Sequence, residues 1–304
     1  MTAAVATREE VKQVTPFLRW CGGKRHLAQQ LAGEIMATRP RLYVEPFIGG
    51  GAIALALPAK QPKLLADINP SLIDCWLCIK QIPDTLFTEL ASIEEQYGNE
   101  EDGYKQARDA FNFMVRNPRP MWARRSALFL YLNARCFNGL WRTNSKGLFN
   151  VPFGKLAYPK KLDLVELGQI SAALFNTELV SDHFSKLLSS LFTKFSRGVR
   201  TADRMRQALD GAAAYIDSPY DGTFNQYAKD GFTVDDQAVL AGMLHSMAEA
   251  GAAVWASNAD TVLVRELYRW AKIEAIDEHH SVGSKPERRG KRGCVLIRGG
   301  KAIR

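Results

Sequence analysis

The chain has 304 residues, 46% apolar and 24% charged, enough for one large packed domain or a medium domain carrying a smaller insertion. That balance excludes a disordered or collagen-like chain, and the longest uncharged stretch, around 46–59, is too short and too glycine-rich to span a membrane. Forty basic residues against 32 acidic ones leave a net charge of +8. It is unevenly carried: 116–161 holds ten basic residues and no acidic one, 285–304 holds eight and only Glu287, and the remainder is acidic.

Residues 1–15 contain Arg8, Glu9, Glu10 and Lys12 and no apolar block, so they read as a frayed tail and not as a secretory signal. Apolar spacing predicts a helix over 24–38 and a strand over 41–47 that runs into Gly49-Gly50-Gly51. A short helix over 52–57 and a strand over 63–67 complete the βαβ rhythm of a parallel sheet. Four successive helices are predicted next, over 71–80, 84–97, 104–116 and 121–135. Segment 137–155 is dense in Asn and Gly and reads as a β-hairpin or ordered loop turning near 144–147. Strands resume at 212–217, 252–257, 273–277 and 294–298, with helices at 235–250 and 261–271 between them. In the first of these helices Val239, Leu240, Met243, Leu244 and Met247 recur at helical spacing and are expected to face the sheet. A helical, basic segment over 69–162 thus interrupts an α/β domain made of 16–68 and 163–304.

Five cysteines in so long a chain make no disulfide framework, which points to a cytoplasmic protein. Cys75 and Cys78 form C-x-x-C, but Trp76, Leu77 and Ile79 beside them read as a helix face. No second pair stands at zinc spacing, so they are expected to be half-buried helix residues and no metal is expected. Basic charge confined to two segments is the footprint of a polyanion partner. Trp122, Phe129, Tyr131, Phe137, Trp141 and Phe149, interleaved with the cations of the first window, suit nucleic acid, where rings stack and cations meet phosphate. No long cationic amphipathic helix favours a membrane, and no obligate protein partner is evident.

Three segments carry chemistry. Glu45-Pro46-Phe47-Ile48-Gly49-Gly50-Gly51 follows a strand, and glycines at a strand-to-helix turn let a nucleotide-like ligand approach the backbone. Asp67 ends the next strand, where an acidic side chain can bind ribose hydroxyls; taken alone, the segment fits a nicotinamide site or a plain structural turn as well. Asp217-Ser218-Pro219-Tyr220 ends the strand AAAYI and offers an acceptor for an amino group beside an aromatic face. Gly22-Gly23-Lys24 at the start of the predicted first helix can seat an anion, although Arg25 after the lysine excludes a P-loop.

In this order the segments resemble the Dam-type (class alpha, D12) DNA adenine-N6 methyltransferases. That family carries Trp-x-Gly-Gly-Lys, Glu-Pro-Phe-x-Gly-x-Gly, an Ala-Asp-Ile-Asn run (here 66–69), a Tyr-Asn-Gly stretch leading to Gly-x-Phe-Asn-Val-Pro-Phe-Gly (here 137–139 and 147–154), and Asp-Pro-Pro-Tyr (here 217–220). The resemblance covers about 17–298 and implies a Rossmann-like α/β sheet that binds S-adenosylmethionine, with an inserted helical target recognition domain over 69–162 carrying a β-hairpin. It implies a cofactor pocket of Trp20, Lys24, Glu45, Phe47, Gly49, Gly51, Asp67 and Asp217, with Asp67 on the ribose and Lys24 at the pocket edge. Catalysis falls to Asp217, Ser218, Pro219 and Tyr220: the ring stacks on an adenine flipped from duplex DNA, while the Asp217 carboxylate and Ser218 carbonyl accept from N6. DNA contacts fall to Arg19, Phe137, Asn138, Leu140, Arg142, Pro152 and Lys155. Phe137 and Asn138 enter the stack and Arg142 reads guanine, within a GATC target. The sequence departs from the family at Ser218, which replaces a proline, at Phe137, which replaces a tyrosine, and in its basic tail after Gly283. An NAD-dependent oxidoreductase and a DNA-binding homologue that has lost catalysis remain as alternatives.

Overall fold

The computed structural model describes residues 14–117, 122–194, 209–222, 231–276 and 293–303. The tail expected over 1–15, apart from its last two residues, and the basic run over 285–292 lie outside the described residues. Seven strands form one sheet: β1 (Leu42–Glu45), β2 (Lys63–Asp67), β3 (Thr177–Ser181), β4 (Ala212–Ile216), β5 (Ala253–Ala259), β6 (Lys272–Ile276) and β7 (Cys294–Gly300). Their spatial order is β3-β2-β1-β4-β5-β7-β6. The pairs from β3 through β5 are parallel, and β7 runs antiparallel between β5 and β6. Parallel strands covered on both faces need apolar residues at every position, and β4 (AAAYI) and β5 are buried throughout.

The described helices are α1 (Ala28–Ala37), α2 (Ala52–Ala56), α3 (Pro70–Gln81), α4 (Pro83–Tyr97), α5 (Glu101–Arg116), α6 (Trp122–Arg135), α7 (Leu164–Ala173), α8 (Phe184–Lys194), α9 (Val234–Glu249) and α10 (Val262–Leu267). Alternate strand residues feed two cores, as the pleat requires. Tyr43, Leu65, Tyr215 and Trp255 share one core with residues of α1 to α7, whereas Val44, Leu64, Ala214 and Val254 share the other with α8 to α10. The strand order reverses between β1 and β4, and in such sheets the crevice beyond the strand C-termini at that reversal is where ligands lodge.

Several expectations need correction. The first helix starts at Ala28, not at 24, so Lys24 stands ahead of it in a turn and no helix N-terminus assists an anion there. α7, β3 and α8 occupy a region where the sequence pattern predicts nothing; β3 is a short edge strand (TELVS) buried only at its start. In α9 the buried face is Gln237, Leu240, Ala241, Leu244 and Met247, whereas Val239 is 50% exposed and Met243 only partly buried. Cys75 and Cys78 are fully buried, and the Ser126 hydroxyl donates to Cys78 Sγ at 3.2 Å.

Four of the six aromatic residues of the basic window, Phe129, Tyr131, Trp141 and Phe149, are core and not stacking platforms. α6 is buried at every position from Ser126 to Asn133, and Phe129, Tyr131, Trp141 and Phe149 are all enclosed. Trp141 bridges Phe129 and Phe149 with centroid separations of 4.0 and 4.3 Å. Cations of the same window are partly spoken for: Arg124 pairs with Glu89, Arg125 with Asp74, Arg135 and Lys161 with Glu94, and Lys160 with Glu166. Phe137, 42% exposed, is the ring of this set that the described structure leaves most open.

Among the described residues no helix is long and apolar enough to cross a membrane. No group of three His, Cys, Asp or Glu side chains among them could hold a metal ion.

Candidate active site

Two loops leave the sheet side by side at the reversal. The 46–51 turn leaves the end of β1 and the 217–220 turn leaves the end of β4, and these strands are direct neighbours with Val44 opposite Ala214. The glycine turn is closed from both sides by indoles. Gly49 and Gly51 have φ of +45° and +65°, where a side chain is strained. A Cβ on Gly49 would lie 2.7 Å from the Trp20 ring, and one on Gly51 would lie 2.7 Å from Trp76. Trp76 Nε1 also donates to the Gly49 carbonyl at 3.2 Å. Asp67, at the end of β2, accepts from Gly49 N–H at 3.2 Å and Asn69 N–H at 3.0 Å, so the carboxylate ties the turn to the neighbouring strand. Phe47 stacks on Phe184 at 5.5 Å and meets Phe232 edge-on at 5.9 Å.

Asp217 is held by Lys24 and Ser257. Lys24 Nζ lies 3.0 and 3.2 Å from the two carboxylate oxygens and donates to the Gly22 carbonyl at 2.5 Å. Its charge sits 5.0 Å from the centroid of the Tyr220 ring. Lys24 is 2% exposed, so it is a buried partner of Asp217 and not the edge residue expected. Ser257 Oγ donates to Asp217 Oδ1 at 2.7 Å. Having spent its one proton there, it accepts from the Tyr215 hydroxyl at 3.1 Å.

Burial sets the electrostatics beneath the crevice. It pushes the Glu45 carboxyl up to about 8, and the nearby Asp217 charge adds to the rise while the hydrogen bond from Tyr43 (2.8 Å) opposes it. Burial likewise raises Asp67 to about 6, against the backbone donors that favour its charged form. Glu45 thus contributes a largely uncharged carboxyl under the site near neutral pH, and Asp67 a mostly ionised one.

The residues expected to face DNA form a second group beside the crevice. Asn133, on α6, holds both main-chain groups of Arg19, accepting from its N–H and donating to its carbonyl at 2.9 Å each. A Cβ on Gly139 would lie 2.6 Å from Arg19 Cβ, so Arg19 is packed against the 137–139 turn. Asn138 adopts a left-handed conformation (φ +53°) at the tip, and it is exposed together with Phe137, Pro152 and Lys155. Leu140 and Arg142 are half-buried, and Arg142 Nε donates to Asn150 at 2.9 Å. The 136–155 segment has two isolated bridges, Cys136–Phe153 and Thr143–Phe149, and is an ordered loop in place of a regular hairpin. From α5, Asn112 bonds both main-chain groups of Phe149 (2.9 and 3.0 Å) and Tyr104 donates to the Val151 carbonyl at 2.9 Å.

Sequence reasoning missed Ser257, Gln237, Asn258 and Phe184. The first and third stand at the C-terminal end of a predicted strand, and applying the strand-end rule to AAVWAS-Asn as it was applied to AAAYI-Asp would have found them. Phe184 and Gln237 carry no local signal.

Comparison with known proteins accords with this arrangement. A family model for the D12 class N6 adenine-specific DNA methyltransferases matches residues 20–282, a span that takes in the whole crevice and the 136–155 loop. A type II methyltransferase of Lactococcus lactis subsp. cremoris is 32% identical over 287 residues, covering 93% of this chain and 94% of its own. DNA adenine methylases of Vibrio cholerae (32% identical, 92% of this chain and 94% of theirs) and Escherichia coli K12 (31% identical, 92% and 94%) match over a similar extent. The nicotinamide-dependent alternative therefore falls away. The chain belongs to the D12 class N6 adenine-specific DNA methyltransferases, and its reaction is methylation of adenine N6 in DNA.

Proposed function

We propose that the enzyme takes its methyl group from S-adenosylmethionine and transfers it to an adenine flipped out of duplex DNA, within GATC. The donor fits the crevice by two observations. The glycines at 49–51 let the turn after β1 lie directly against the Trp20 and Trp76 rings at the mouth of the switch point, and Asp67 keeps acceptor capacity beyond its backbone donors for ribose hydroxyls. Trp20, Phe47, Glu45 and Lys24 complete the pocket. When bound, the donor supplies an electrophilic methyl on a sulfonium.

The chain's own residues address the nucleophile. The N6 lone pair is delocalised into the purine ring, so the amine attacks poorly. Acceptors at the Asp217 carboxylate and the Ser218 carbonyl, directed at N6–H, draw that nitrogen toward tetrahedral geometry and stabilise its developing positive charge. Tyr220 stacks on the base. The carboxylate is oriented beforehand by Lys24 and Ser257. Asp217 therefore works as a positioned electrostatic group, and the proton leaves with bulk solvent as its final acceptor.

Residues 69–162 serve as the target recognition domain, with 16–68 and 163–304 as the catalytic domain. Phe137 and Asn138 fill the gap left by the flipped base, and Arg142 reads guanine through its fork of donors. Leu140 and Pro152 touch a thymine methyl, Arg19 contacts a base and Lys155 a phosphate. The tail after Gly283 adds phosphate contacts. A DNA substrate of this kind assigns the protein to the cytoplasm. The adjacency of parallel β1 and β4, which sends the 46–51 and 217–220 turns out of the same end of the sheet at the strand-order reversal, carries this reading. It is tested by incubating purified protein with unmethylated plasmid and tritiated S-adenosylmethionine, followed by base analysis and a GATC-specific methylation-sensitive nuclease. Label on N6-methyladenine with protection at GATC is expected, and Asp217→Ala should abolish it while DNA binding persists. Labelled adenine without protection would remove GATC, and equal loss of binding in Asp217→Ala would show that the site is misassigned.

A further inference from the structure

The Asp217–Tyr220 turn has lost the first of its two prolines and needs another source of rigidity. Ser218 does not supply it: its hydroxyl is buried without a hydrogen-bond partner among the described residues. The support comes from the neighbouring strand. β5 runs parallel to β4 with Ala256 opposite Ile216, so its last residues lie alongside the turn. Asn258 Oδ1 accepts from the N–H of Asp221 at 2.9 Å and of Ala259 at 2.8 Å. Its Nδ2 donates to Gln237 Oε1 at 3.0 Å, and Gln237 Nε2 donates to the Pro219 carbonyl at 2.9 Å. Both amides are 2% exposed.

The chain of bonds admits one orientation. Two main-chain N–H groups require the oxygen of Asn258 to face them, which turns its NH2 to Gln237 and thereby the NH2 of Gln237 to Pro219. The two anchored groups, the Pro219 carbonyl and the Asp221 N–H, belong to the peptide planes on either side of Tyr220. With both planes fixed, φ and ψ of Tyr220 are fixed, and so is the direction in which its ring leaves the backbone. Thr261 adds a bond to the Asp221 carboxylate at 2.8 Å.

We propose that Gln237 and Asn258 form a buried amide clamp that positions Tyr220 for methyl transfer, holding the peptide planes on both sides of it in a turn that lacks one proline. Both are positioning residues; neither reaches the base. The role rests on the reading of Asp217–Tyr220 as the adenine site.

The test uses the full-length protein, unmethylated genomic DNA and tritiated S-adenosylmethionine, with Gln237→Leu, Gln237→Glu and Asn258→Asp. Each removes a donor from the clamp and keeps the volume nearly constant. We expect kcat to fall by about 100-fold, the scale of a small misplacement at a reacting centre, while KM for DNA and for the donor changes less than about threefold. In Gln237→Glu the introduced carboxyl can donate to Pro219 only when protonated, so its kcat relative to wild type should recover as pH falls. Unchanged kcat in variants that merely melt at lower temperature would overturn the clamp, as would a flat relative pH profile in Gln237→Glu. If Gln237→Leu fails to fold, the pH profile decides alone. An inactive wild type would instead overturn the adenine-site reading, and the clamp's role with it.

Discussion

Gly49 and Gly51 make a matched pair of perturbations, because alanine at either meets the same 2.7 Å obstruction from an indole in a left-handed backbone. The obstacles differ. Trp76 is fully buried and bonded to the Gly49 carbonyl, whereas Trp20 is half-buried at the mouth of the crevice. For Gly51→Ala the left-handed conformation costs about 1–2 kcal/mol. The contact falls about 0.8 Å short of the ~3.5 Å at which carbon atoms begin to attract, and overpacking of that kind costs about 1–3 kcal/mol. Lower entropy of the unfolded chain returns about 0.4–1 kcal/mol. The net loss is about 2–4 kcal/mol, or about 3–6 °C in melting temperature for a chain of this size. In Gly49→Ala the Trp20 ring can swing toward solvent, so stability should fall by about 1 kcal/mol or less, with the conformational strain alone remaining. The displaced ring should then weaken S-adenosylmethionine binding by about tenfold, equivalent to about 1.4 kcal/mol. Thermal melts and calorimetric titration of the donor measure both. If Gly49→Ala proves the more destabilising, or both melt like wild type, the account of this turn is wrong.

Stability should fall with pH through Glu45. Its carboxyl is raised from 4.5 to about 8, so the proton it holds in the fold contributes stability that is complete below pH 4.5 and lost as pH rises through about 8. Melts of Glu45→Gln between pH 6 and 9 should decline less than wild type, and parallel curves would show that Glu45 is not the titrating group. Arg142→Ala should lose discrimination at one base pair by about 1–3 kcal/mol, measured as kcat/KM on single-substitution duplexes. Uniform weakening on all duplexes would make Arg142 a phosphate contact. Phe137→Ala should leave the melting temperature unchanged and slow methylation of duplex by about tenfold or more, given an unstacking cost of a few kcal/mol. Single-stranded DNA should be unaffected, and equal slowing on both would remove the wedge role.

The parts of the fold that could be read in advance are those where one period dominates. The strands flanking the reversal are short apolar runs followed by Gly or Asp, and that signal located both loops of the crevice. α9 shows where such reading holds only in part, since Leu240, Leu244 and Met247 face the sheet as expected and Val239 does not. Its apolar spacing favoured a face through Val239, but the helix is rotated so that Gln237 turns inward, because the Pro219 carbonyl and the Asn258 amide both require a partner there. A polar residue satisfying buried backbone is invisible to hydrophobic periodicity. α6 failed differently. Packed between α3, α4 and α5 and buried on all sides, it holds its rings in the core while Arg124, Arg125 and Arg135 reach out to acids on α3 and α4. Alternation along the chain cannot distinguish that from a stacking surface. β3 was missed because an edge strand of five residues with half its side chains in water has almost no apolar pattern.

The grip of α5 on the 136–155 loop falls on main-chain atoms. Asn112 engages the N–H and carbonyl of Phe149 and Tyr104 the carbonyl of Val151, and Gly154 N–H reaches the Arg135 carbonyl at 2.8 Å. Anchors of this sort are indifferent to which side chains the outward positions bear. The loop is in effect a socket whose exposed tips, Phe137 and Pro152, stand clear of the bonds that seat it, so a side-chain change at either leaves those main-chain anchors in place.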